Sequence, residues 1–300
     1  MPTGVIALFG PTGVGKTDVA LALADRLRAE GERPVAVSAD ALQVYRGLEV
    51  LTGAASADEQ RRLEHRLISF LPVDATFSVG EYAKLAHAEI DGLIAERAAP
   101  IVVGGTGLYL RAALAELDLR PPPPDELRAK WERALAEHGP EALHAELVRR
   151  APWAAEKVAP RDRSRIVRWL ELSDLGELEP PRAEDENQLW TANTRHPTRL
   201  IGLTMEREAL YGRIERRIDQ MVAAGARDEV IRANTAGASE TARKALGFDD
   251  LLSGDVEGMK RRTRNYARRQ LTWMRKLPNA ELIDVTTTQP EDVAAMILDA

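Results

Sequence analysis

Gly10-Pro11-Thr12-Gly13-Val14-Gly15-Lys16-Thr17 is the stretch of this 300-residue chain with the clearest chemistry, a Gly-x-x-x-x-Gly-Lys-Thr pattern. Glycines at this spacing let successive backbone N–H groups turn inward around phosphate oxygens. The lysine neutralises charge, and the threonine hydroxyl is placed to ligate Mg2+. The flanks give the pattern its meaning. Val5 to Phe9 is an apolar strand-like run, and Ala20, Leu23, Ala24 and Leu27 recur at helical spacing behind the loop. A loop between a strand and a helix also receives the positive end of the helix dipole. Residues 10 to 17 are therefore expected to bind phosphate groups. Nucleotide hydrolases, kinases and enzymes that release pyrophosphate all use such a loop.

Two further apolar runs, "PVAVSAD" ending at Asp40 and "PIVVGGTGLYL" passing through Gly104-Gly105-Thr106, are rich in valine and separated by helical stretches. Such runs read as buried parallel strands, whose carboxyl ends form sites. Asp40 and Thr106 should thus share a rim with the phosphate loop, although Asp40 could merely cap a turn and Gly104-Gly105 merely close one. Another strand is expected over 198–205, followed by a helix over 207–224 with Leu210, Ile214, Ile218, Met221 and Val222 as its buried stripe. On that helix Arg213 and Arg217 lie one turn apart, where they either reach a diphosphate together or form a solvated face. "AELIDV" is a last strand. The expected fold is α/β, a P-loop NTPase-like parallel sheet core.

Between the third and fourth of these strands the chain changes character. Four prolines, Pro121 to Pro124, make a stiff spacer, helical patterns run over 127–138, 140–150 and 162–173, and a polar, proline-containing loop covers 175–188. Helices without strands, entered and left this way, indicate an all-helical insertion at 118–197 dividing a core of 1–117 and 198–300. Arg161, Arg165 and Arg168 share one face of the third helix, a pattern that a solvated face also explains.

The composition, 44% hydrophobic and 29% charged, is that of an ordinary globular chain, and no run approaches the roughly 18 apolar residues of a membrane span. No signal peptide is expected at the amino terminus, and the reading is cytoplasmic and monomeric. Cysteine is absent, which excludes disulfides, thiolate nucleophiles and cysteine zinc sites, and the five histidines fit no metal spacing. A net charge of −6 argues against a polyanion partner until its distribution is considered: Lys260 to Lys276 holds eight lysines and arginines and no acid. Arg264, Arg268 and Arg269 lie in this segment, interleaved with Tyr266 and Trp273. On a helix the arginines would hold a nucleic acid backbone while the aromatics dock it, or the aromatics would stack on bases.

With these pieces assembled, the sequence closely resembles the tRNA dimethylallyltransferase family. The matching stretches are "GPTGVGKT" (10–17), "DALQVYRGLEV" (40–50), "PIVVGGTGLYLRA" (100–112), "RDRSRIVRWLE" (161–171) and "TRNYARRQLTWMR" (263–275). The resemblance implies transfer of a dimethylallyl group from dimethylallyl diphosphate to N6 of the adenosine on the 3′ side of a tRNA anticodon, with Mg2+ bound through Thr17. It implies catalytic roles for Asp40, Lys16, Thr17 and Arg217, with Arg217 joining residues 10–17 on the diphosphate. An exocyclic amine is a weak nucleophile, and Asp40 fits as the carboxylate that accepts its proton. By family position Asp40, Ala41, Leu42, Gln43, Thr106, Arg128, Ser164, Arg165, Ile166, Val167, Arg168 and Lys244 to Asp249, including Gly247 and Phe248, would contact the tRNA anticodon stem-loop, joined by Arg264, Arg268 and Arg269. The chain departs from the family at Ala41, at Leu51 to Ala55 where a lysine is missing, at Arg161, at Trp169 and at Phe248 in place of tyrosine. A small-molecule kinase, a dimethylallyltransferase acting on free adenylate and a non-catalytic RNA-binding protein are the competing readings.

Overall fold

The computed structural model describes residues 4–120, 122–180 and 191–299; Pro121 of the proline spacer and residues 181–190, which include most of the polar loop, lie outside them. The apolar runs become strands because their side chains are buried on both faces of one sheet. Val35, Ala36 and Val37 are all within 1% of complete burial, as are Ala7, Leu8 and Phe9. The strands are β1 (Val5–Phe9), β2 (Pro34–Ser38), β3 (Glu64–Arg66), β4 (Ala99–Gly104), β5 (Thr198–Thr204) and β6 (Glu281–Asp284), all parallel, in the order β3-β2-β4-β1-β5-β6. β3 was not expected: three polar residues pairing only with β2 leave no apolar run to detect.

The chain leaves β1 toward β2 on one side and later returns to β5 on the other, so β1 is the point where strand order reverses. Crevices at such points hold ligands beyond the carboxyl ends of the strands. α1 (Lys16–Ala29) follows β1, with α2 (Glu49–Thr52), α3 (Ala57–Arg62), α4 (Val79–Ala95) and α5 (Gly107–Leu114) completing the first half. β2 and β4 approach closely where they end: a Cβ on Gly104 would collide with the carbonyl of Ala39, the residue before Asp40.

Residues 120–187 form a separate compact unit. Its helices are α6 (Asp125–Arg150), α7 (Pro152–Ala155) and α8 (Arg163–Asp174), and α6 joins two helical stretches across a kink at Gly139, where φ is 78° ahead of Pro140. The unit has its own core around Trp131, Leu143, Leu147, Ile166 and Leu170. Trp169 packs against Trp153 with ring centroids 5.6 Å apart. Residues 191–197, assigned to the insertion from sequence, group with the sheet unit instead, because Arg195 N–H donates to Leu114 O and Val5 N–H to Pro197 O, both at 2.8 Å.

The second half of the sheet unit adds α9 (Arg207–Ala223), α10 (Ala226–Thr235), α11 (Phe248–Ser253), α12 (Val256–Met274) and α13 (Pro290–Leu298). Leu210, Ile214 and Ile218 are buried as expected on α9, with Met221 and Val222 packed at the margin of the core. Among the described residues no helix is long and apolar enough to cross a membrane.

Gly104→Ala is expected to lower stability by about 1–3 kcal/mol, because the added methyl forces apart the ends of β2 and β4. Urea denaturation followed by circular dichroism checks this; an unchanged midpoint would show that the two ends are not packed against each other.

Candidate active site

Lys16 is the first residue of α1, and Gly15 before it, at φ 102°, supplies no side-chain cap. The amino-terminal N–H groups of α1 thus have no side-chain acceptor and face the loop, the arrangement that favours an anion. Lys16 Nζ donates to Gly10 O at 2.9 Å and Pro11 O at 3.1 Å. Burial, reinforced by the nearby Arg217 charge and opposed by Asp40, brings its pKa from 10.5 down to about 7. The ammonium is therefore held where its charge is costly, a cost that a bound phosphate removes.

Asp40 stands two residues beyond β2. Its Oδ1 accepts the Leu42 N–H at 2.9 Å, so it does close a turn, but the turn does not exhaust its chemistry. Burial raises its pKa, while the Leu42 and Gln43 amides, Lys16 and Arg217 pull the other way. A carboxylate raised by burial yet stabilised by neighbouring cations suits a general base.

α9 delivers Arg213 and Arg217 to this rim. Arg217 Nη2 donates to Gly53 O at 3.4 Å, and Gly53 is necessarily a glycine here since a Cβ would overlap that guanidinium. Burial lowers the Arg217 pKa, with Glu59, Asp18 and Asp40 opposing. Arg213 lies 3.6 Å from Asp18, and a side chain at Gly15 would sit 3.3 Å from its guanidinium. Arg213 therefore stands over the phosphate loop, which its one-turn spacing from Arg217 had left undecided. Gln43 accepts from Ser38 Oγ at 2.9 Å and donates to Gly53 O at 3.2 Å, while Glu229 of α10 accepts the Val50 and Leu51 N–H groups at 3.0 and 2.9 Å. The segment around Leu51 to Ala55, which lacks the usual lysine, is thus fixed from two sides.

α12 is docked by its non-cationic face. Tyr266 Oη lies 3.2 Å from Thr106 Oγ1, Trp273 packs against Gly107 and 6.3 Å from the Phe9 ring, and Gln270 bonds both Thr12 and Gly105. These aromatics are packing anchors. No motif chemistry singled out Gln270, although its position between Tyr266 and Trp273 at helical spacing placed it on the docked face.

Comparison with known proteins adds identity to this geometry. Residues 43–277 match the family described as IPP transferase. The chain is 40% identical over 91% of its length to the tRNA dimethylallyltransferase of Thermobifida fusca, covering 88% of that protein, and 39% identical to that of Kineococcus radiotolerans over 98% of this chain and 95% of the relative. The tRNA isopentenylpyrophosphate transferase structure from Bacillus halodurans superposes with a TM-score of 0.70 at 31% identity, covering 99% of this chain and 96% of that one. The chain belongs to the IPP transferase family, the tRNA dimethylallyltransferases. The family match begins after the phosphate loop and Asp40, so those two features rest on their own geometry.

The family-implied nucleic acid positions do not all present side chains. Ile166 and Val167 of α8 are core residues of the helical unit and Phe248 is fully buried in the sheet unit, because each falls on the inward face of its helix. The hydroxyl lost at Phe248 thus has no solvent-facing role to lose. Ser164, Arg165, Arg128 and Lys244 are exposed, and Ala41, Leu42 and Thr106 are half-buried at the rim. Arg128 and Arg168 both reach the buried carboxylate of Glu171, at 3.3 and 3.4 Å. On α12, Arg264 pairs with Glu215 of α9 at 2.5 Å, Arg262 donates to Asp250 at 2.8 Å and Lys260 to Asp219 at 2.8 Å, whereas Arg268 and Arg269 are exposed. Arg264, expected to contact tRNA, thus has a carboxylate partner within the protein.

Lys16 must be charged to hold a diphosphate. Its pKa in the folded protein is about 7, below 10.5 for the free group, so binding above pH 7 takes up a proton. Pyrophosphate affinity in the presence of Mg2+ is expected to fall by up to about tenfold per pH unit above neutrality in wild type relative to Lys16→Met. Calorimetry in buffers of different ionisation enthalpy measures the uptake; none at about pH 8 would show that Lys16 is already charged in the free protein.

Proposed function

We infer that this chain transfers a dimethylallyl group from dimethylallyl diphosphate to N6 of the adenosine 3′ to a tRNA anticodon. The observation that carries this is the convergence of Lys16, Asp40 and Arg217 at the rim on which α12, with its exposed Arg268 and Arg269, is anchored. A small-molecule kinase has no use for a cationic helix bonded to its phosphate loop.

In the proposed reaction the allylic C1–O bond breaks, diphosphate departs, and the N6 lone pair forms the new C1–N6 bond. Charge grows on the leaving diphosphate as the allylic carbon acquires cationic character, so preorganised positive groups give the largest help. The loop amides, Lys16, Arg217 and Arg213 supply them. Asp40 accepts the N6 proton as the bond forms, converting a delocalised amine into a competent nucleophile. Because the adenosine must leave its stack to reach Asp40, backbone contacts elsewhere on the protein hold the loop while it does so.

The donor set suits magnesium in one particular way. No group of three or more histidine or acidic side chains could hold a metal by itself among the described residues, so an ion here would take the Thr17 hydroxyl from the protein and its other ligands from the diphosphate and water. Such an ion, when bound, supplies further neutralisation of the departing charge.

Incubation with Mg2+, labelled dimethylallyl diphosphate and either bulk tRNA or AMP tests the reading. Label in tRNA is expected; label in AMP alone would indicate the free-nucleotide transferase, and consumption of ATP with neither would indicate a kinase. Asp40→Ala is expected to lower kcat by about 100-fold or more while tRNA affinity changes little; equal losses in both would make Asp40 a binding residue only. Arg268→Ala with Arg269→Ala should weaken tRNA binding and reduce its salt dependence by up to about two counterions, and an unchanged slope would remove the nucleic acid role of α12.

A further inference from the structure

Gln270 is 5% exposed on a helix whose outer surface is cationic. A buried primary amide is retained only where both of its ends find partners. Here neither partner belongs to α12. Oε1 accepts the Thr12 N–H at 2.9 Å, and Nε2 donates to Gly105 O at 2.7 Å. The orientation of the amide follows from its neighbours, since a backbone N–H only donates and a carbonyl only accepts.

Both partners lie at the reacting end of the molecule. Thr12 is inside the phosphate loop, next to Gly10 and Pro11, whose carbonyls hold Lys16 Nζ. Gly105 follows β4, and a Cβ there would sit 3.5 Å from Lys16 Nζ and 2.5 Å from the Gln270 amide. One side chain therefore joins three segments: the loop after β1, the turn after β4, and α12. Arg268 and Arg269, two of the exposed cations of α12, immediately precede Gln270, and Trp273 one turn later packs on Gly107.

We propose that Gln270 is a positioning residue through which α12 sets the shape of the phosphate loop, so that the helix facing the nucleic acid and the loop holding the departing diphosphate form one rigid assembly. Its bond consumes the Thr12 N–H, as Pro11 O takes that of Val14 at 3.3 Å, which leaves the other loop amides to face the ligand and prevents the leading edge of the loop from rotating. The proposal rests on the tRNA reading only for what α12 engages; the tie to the loop is independent of it.

Gln270→Met keeps the length and packing of the side chain but makes neither bond. It is expected to raise the Kd for pyrophosphate with Mg2+, measured without tRNA, by about tenfold or more, and to raise the KM for dimethylallyl diphosphate in parallel. Hydrogen exchange of the Thr12 amide should accelerate. The tRNA affinity and its salt dependence should stay within about twofold, because Arg268 and Arg269 remain. Gln270→Glu, which keeps an acceptor for Thr12 N–H, should retain protection at Thr12 and guards against a folding failure of the first variant. Wild-type pyrophosphate affinity together with wild-type exchange at Thr12 in folded Gln270→Met would overturn the proposal. If wild type bound pyrophosphate but no tRNA, the tRNA reading alone would fall, and the pyrophosphate and exchange arms would still decide the role of Gln270.

Discussion

The organising constraint in this protein is the burial of two cations and one carboxylate at the carboxyl end of a parallel sheet with no counter-ion able to satisfy all three. Burial lowers the pKa of Lys16 and Arg217 and raises that of Asp40, so the charged form of each group is penalised in the free site. Such a site is costly until an anion enters. A diphosphate would supply that anion and return Lys16 to its charged form.

Much of the surrounding structure serves to hold these three groups. β2 and β4 end this close together only because Gly104 carries no Cβ to meet the Ala39 carbonyl. α9 presents Arg217 across Gly53, where no side chain would fit, and Glu229 and Gln43 pin that segment in place of the missing family lysine. The other departures are absorbed in a similar way. Trp169 finds Trp153 within the helical unit, and Phe248 is enclosed by core where a hydroxyl would have needed a partner.

Features carried by short-range chemistry could be read from the sequence. The phosphate loop declares itself by glycine spacing, the parallel strands by unbroken valine-rich runs, and the two halves of α6 by their helical patterns over 127–138 and 140–150. Features that depend on which residue meets which could not. β3 is polar and three residues long. Ile166 and Val167 fall in a stretch assigned by position to nucleic acid, yet helical geometry turns them into the core while Ser164 and Arg165 stay outside. Arg264 counts as a charge in the sequence, but Glu215, nearly fifty residues away, cancels it. Gln270 is separated from Thr12 by 258 residues, so no local pattern announces the bond that ties the cationic helix to the phosphate loop.

The claim on which this account turns is that a buried, cation-flanked Asp40 accepts the N6 proton. The most direct measurement is the single-turnover transfer rate as a function of pH, at saturating dimethylallyl diphosphate and tRNA. The account predicts a rate that rises with pH along a limb whose midpoint lies above the ordinary aspartate value of 3.8, and the absence of that limb from the residual rate of Asp40→Ala. A limb that persists unchanged in Asp40→Ala would contradict it.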